Sequence, residues 1–126
     1  MAAEAEAHRG LHRLGLIVRS APWCGRSGRD QLDLALAAAS LELDLLLFFT
    51  GAGLLQLRAG LQGQAAGLPA GLKAWKSLPE LTSCRYLVEL EEFRAVAASQ
   101  WWVRPEALDR QACLALQAGC DRLLVL

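Results

Sequence analysis

Residues 14–57 read LGLIVRSAPWCGRSGRDQLDLALAAASLELDLLLFFTGAGLLQL, and this stretch decides the fold. Leu14 to Arg19 is a short apolar run closed by Ser20-Ala21-Pro22, the pattern of a strand covered on both faces and followed by a turn. Leu32, Ala35, Leu36, Ala39 and Leu43 then recur at helical spacing, and Ser27 with Asp30 forms a capping-box start. The spacing therefore predicts a helix from about Ser27 to Leu41. Asp44 to Thr50 is a second continuous apolar run, and Gly51-Ala52-Gly53 punctuates it. Two buried strands joined by a helix make a βαβ unit, which requires parallel strands because the crossover returns the chain to the starting edge.

Further along, residues 51–71 hold six glycines, and only Leu54 to Leu57 looks helical there. Long loops of this kind are usually functional or disordered, so a mobile segment is expected. A short helix over Leu72 to Leu78, stopped by Pro79, precedes a third strand at Cys84 to Val88. Glu89 to Ala98 is read as a helix with a thin apolar stripe of Phe93 and Val96. Trp101-Trp102-Val103 is read as a minimal fourth strand, with Pro105 opening the last helix and Glu106 and Asp109 in its first turn. Gly119 ends that helix, and Asp121 to Leu126 is the fifth strand. The alternation predicts a three-layer α/β/α fold with a five-stranded parallel sheet. Residues 13–126 are expected to form a single domain, and residues 1–12 a disordered or frayed tail.

The chain has 126 residues, the size of one hydrophobic core. Apolar residues make up 54% even without glycine, more than a small monomer easily buries, which points to oligomerisation. Thirteen basic residues balance thirteen acidic ones, so no global field draws the chain to nucleic acid or an anionic membrane. Met1 to Arg13 lacks the apolar core and cleavage site of a signal peptide, and no apolar run approaches the 18 or so residues that span a bilayer. A cytoplasmic protein is expected, with its four cysteines reduced.

Ser20, Pro22, Gly28, Arg29, Asp30, Leu32 and Asp33, followed at the right separation by Phe48, Phe49, Gly53 and Gln56-Leu57, resemble the N-terminal half of the TusC/DsrF branch of the DsrE/DsrF-like family. The C-terminal half agrees mainly in the order of its elements. The resemblance implies a non-catalytic subunit of a heterohexameric sulfur-relay complex, with TusB-like and TusD-like sister subunits. Such a complex passes persulfide sulfur, through sulfur-carrier proteins, toward 2-thiolation of the tRNA wobble uridine. The related role in sulfur oxidation, in a DsrEFH-like complex, is an alternative. The family's reactive cysteine lies just after the third strand, and Tyr86 to Leu90 holds none. The resemblance therefore implies assembly rather than catalysis; no cofactor is expected, and the balanced charge and short apolar runs lead to no expected direct nucleic-acid contact and no membrane.

A persulfide carrier needs a partly exposed thiolate, and Cys24, beside Arg26 and Arg29 at a helix start, fits that description as well as that of an incidental loop thiol. Cys84 is a second candidate, against the reading of a small buried hydrophobe at a strand start. Cys113 and Cys120, at the last helix, are read as packing residues. The cysteine spacing and the tail histidines His8 and His12 give no structural metal pattern. Gly25 to Arg29 lies where α/β sheets hold anions, yet without a phosphate-loop motif. Trp101, Trp102 and Arg104 are read as interface candidates, with core packing a close rival.

Overall fold

The computed structural model describes residues 12–22, 25–59 and 72–126, of which 25–29 and 72–73 are described by their backbone alone. The tail 1–11 and most of the glycine-rich segment, 60–71, lie outside the described residues. Five strands, β1 (Arg13–Val18), β2 (Asp44–Phe49), β3 (Cys84–Glu89), β4 (Glu106–Leu108) and β5 (Arg122–Val125), form one sheet in the order β4-β3-β2-β1-β5. Every pairing is parallel.

Helix α1 (Gly25–Ser40) covers one face together with a 3₁₀ helix over Leu72–Glu80. The strands' alternating side chains sort the core accordingly. Leu45, Leu47 and Phe49 pack with Leu32, Ala35, Ala39, Trp75 and Leu78 on that face. Leu46, Phe48 and Leu87 face the opposite side, where Leu116 of α3 (Arg110–Ala118) packs on them. Strands covered on both faces have no polar side to show, which is why β1 and β2 read as unbroken apolar runs. β5 is an edge strand with all four residues exposed. Asp121 fastens it to β1, its carboxylate accepting from the backbone N–H groups of His12 and Arg13 at 3.0 and 2.7 Å.

Four local readings differ from the structure. Trp101 forms an isolated antiparallel bridge with Arg58, and Trp102 N–H donates to Leu57 O at 2.7 Å, so this segment's backbone is spent outside the sheet. The fourth strand follows it, and Pro105 precedes that strand instead of opening a helix; Asp109 caps α3, its side chain accepting from Ala112 N–H at 2.7 Å. The predicted helix over Glu89–Ala98 is only α2 (Leu90–Arg94), beyond which Val96 and Ser99 bond back three residues in tighter turns. Ser27 lies inside α1, which begins at Gly25.

β2 leaves the sheet at Thr50 and enters a 3₁₀ turn over Gly51–Gln56 that crosses the end of β1. Val18 O accepts from Thr50 N–H at 3.1 Å, and a Cβ on Gly53 would sit 1.9 Å from that same oxygen. Only glycine permits this approach. We expect Gly53→Ala to cost about 2–3 kcal/mol or more by forced displacement, whereas Gly119→Ala, whose added carbon would meet nothing closer than 3.6 Å, should stay within about 0.5 kcal/mol; urea unfolding of both variants checks this.

Candidate functional site

The carboxyl ends of parallel strands are where α/β sheets gather functional groups, and three chain exits meet there. The first is Ser20, whose main chain is held by two buried glutamines. Gln31 Oε1 accepts from the N–H groups of Arg19 and Ser20 at 2.9 and 3.0 Å, and Gln31 Nε2 donates to Ser20 O at 3.0 Å. Gln56 Nε2 donates to the same oxygen at 3.1 Å, while its Oε1 accepts from Trp75 Nε1 at 3.2 Å. Tyr86 OH in turn donates to Trp75 O. At 2% and 0% exposure these amides would be costly if unpaired, and the network satisfies them.

The second and third exits are Thr50 and Glu89. Glu92 of α2 ties them, accepting from Gly51 N–H at 2.7 Å and from Thr50 Oγ1 at 3.2 Å. Beside this link opens a cleft of about 430 Å³ on the α3 side of the sheet. Ile17, Phe48 and Leu87 floor it, Cys113 and Gln117 of α3 wall it, and Glu89 and Glu92 stand at its rim.

The thiols divide between the two ends of the sheet. Cys84 opens β3 at the amino end, half-buried, with burial pushing its thiol up to about 11 against an opposing hydrogen bond with Tyr86. Cys113 lines the cleft, raised first by burial and then by Glu89, Asp109 and Glu92. Burial also raises Cys120, whose Sγ lies 3.4 Å from Leu116 O. Each of these thiols is thus held in its protonated, weakly nucleophilic form. Cys24 and the side chains of Arg26 and Arg29 lie outside the described residues, as does His8. His12 pairs with Asp44 at 3.2 Å, and among the described residues no group of three His, Cys, Asp or Glu side chains gathers to hold a metal.

Trp101 stacks on Phe93 at 5.7 Å between centroids, and the Arg104 guanidinium lies 4.9 Å from the centre of the same ring. Trp101, Trp102 and Val103 are half-buried, with Arg104 exposed at the margin. The structure therefore draws Trp101 and Arg104 together on Phe93, and keeps Cys84 at the other end of the sheet from the cleft. The reading of the sequence did not single out the cleft, Gln31 or the two glutamates. A polar Gln31 directly before Leu32 on the apolar face of a predicted helix was the available signal.

An α/β fold with one parallel five-stranded sheet, its site at the carboxyl edge, defines the class. A profile of the DsrE/DsrF-like family matches residues 12–126, and the chain belongs to that family. Its likeness within the family is to TusC homologs. It is 32% identical to the Protein TusC homolog of Pseudomonas aeruginosa over 88% of this chain and 95% of that one. It is 45% identical to the Protein TusC homolog of Aliivibrio fischeri over 47 residues, a stretch spanning 37% of this chain and 40% of the relative. The crystal structure of the ychN protein from E. coli shares the fold, with a TM-score of 0.74 and 16% identity over 92% of this chain and all of that one. No described helix is long and apolar enough to cross a membrane.

The Cys84 thiol gives the fold a signature at high pH. Its pKa is raised on folding, so the native state holds the proton more tightly, and the resulting stability is complete below about pH 9 and lost as pH rises toward 11. Unfolding free energies across that range should decline more steeply for the natural protein than for Cys84→Ala; identical slopes would remove the assignment.

Proposed function

We propose that the chain is a non-catalytic subunit of a sulfur-relay complex, assembled with TusB-like and TusD-like sisters in a heterohexamer that passes persulfide sulfur toward 2-thiolation of the tRNA wobble uridine. The observation that carries the reading is the junction of β3 and α2, where Glu89 and Leu90 stand at the strand end and the thiols described around the sheet are held protonated. Sulfur transfer needs a thiolate nucleophile, and raised thiols oppose one. The chain's part is then to hold and present the cysteine-bearing sister.

Surface left uncovered supports an assembled state. Leu123, Leu124 and Val125 on β5 are 38%, 37% and 53% exposed, and Leu114 on α3 is 52% exposed. Arg104, set on Phe93 at the margin of the Trp101 segment, adds an Arg-aromatic group of the kind that anchors interfaces. Neutral net charge keeps direct RNA contact out of this reading. Carriage of sulfur by Cys24 or Cys84 is the competing reading, and the raised Cys84 thiol counts against its second half.

Replacing all four cysteines by serine should leave sulfur transfer by the reconstituted complex within about twofold of the natural rate, read by transfer of labelled persulfide sulfur; abolished transfer would overturn the non-catalytic role. Native mass spectrometry of the protein purified at its natural level should show two small sister chains in equal ratio with it. A lone monomer or homo-oligomer would transfer the weight to Cys24.

A further inference from the structure

The cleft beside α3 has features that the relay reading does not use. Its floor is apolar, made by Ile17, Phe48 and Leu87, and its volume of about 430 Å³ falls within the range of small-ligand sites. At its rim the Glu89 carboxylate takes no hydrogen bond or ion pair among the described residues, and neither does the Gln117 side-chain amide on the facing helix. Both residues are half-buried. Glu92 is committed to Thr50 and Gly51, yet its charge remains at the same rim. Among the described residues that line the cleft none is basic.

We propose that this cleft binds an alkylammonium or alkylguanidinium group, its stem on Ile17, Phe48 and Leu87 and its cationic head at Glu89 with Gln117 as a further acceptor. Two carboxylates among the lining of a cleft that holds no basic side chain among the described residues repel an anion and offer a neutral ligand nothing for their charge. Burial first, and then the charges of Glu89, Asp109 and Glu92, raise the Cys113 thiol on the wall, in keeping with that negative lining. A free amine and the lysine or arginine side chain of a docking protein share this chemistry. The inference stands independently of the sulfur-relay role.

The test follows backbone amide resonances of the whole protein during titration, at constant ionic strength, with n-butylammonium, n-butanol and butyrate. Saturable shifts centred on Glu89, Cys113 and Gln117 are expected for the ammonium, with binding by the other two at least tenfold weaker. Glu89→Gln should weaken the ammonium tenfold or more, and Glu80→Gln, an equal loss of charge elsewhere on the exposed surface, should leave it unchanged. Equal binding of butanol, or an unchanged affinity in a folded Glu89→Gln variant, would overturn the proposal. A capped Ala-Lys-Ala peptide, compared with Ala-Leu-Ala, separates the sources. Lysine-dependent binding as tight as that of butylammonium supports a protein partner, binding of butylammonium alone supports a small amine, and binding of neither sinks the idea.

Discussion

The carbonyl of Ser20 accepts from Gln31 on α1 and from Gln56 on the turn after β2, so one backbone oxygen joins three separate chain segments. Because both amides are buried, a bond lost there without replacement would cost about 1–3 kcal/mol. This carbonyl ties α1 and the 3₁₀ turn to the end of β1, and the other end of the Gln56 amide holds the indole N–H of Trp75. Gly53 is the steric counterpart of this bond network, since the turn can reach Ser20 only by passing within backbone distance of Val18 O.

That constraint gives a physical meaning to the residues by which the family is recognised. Ser20 marks the oxygen being clamped, Gly53 the close crossing and Gln56 one of the clamping amides. In the described part of the motif, what could be matched as letters is the set of groups that lock β1, α1 and β2 into one unit. No thiol is required for this.

The fold was legible wherever local pattern and tertiary environment agreed. β1, β2 and α1 combine unbroken apolar runs with helical periodicity, and burial on both faces produced those patterns. The region after β3 was not legible, for reasons that lie in pairing at a distance. Trp101 and Val103 have strand propensity, but the neighbouring backbone groups are taken by Leu57 and Ala59, and Glu106–Leu108 pairs with β3 instead. The candidate site divides the same way. The lack of a cysteine at the end of β3 could be seen directly, whereas the cleft depends on α3 lying over β2 and β3 and leaving Ile17 open, which no spacing encodes.

The strand order has a kinetic side. β1 lies between β2, which follows it closely, and β5, whose anchoring Asp121 lies 108 residues from Arg13. During synthesis the βαβ core can collapse early, but one edge of its first strand stays open until almost the whole described chain has emerged. Non-local pairings of this length are slow because the loop entropy is lost before any contact compensates it. An open strand edge in the cell is a template for wrong partners, and the carboxylate of Asp121, which accepts from two N–H groups at the start of β1, fixes the register in which the late strand closes that edge.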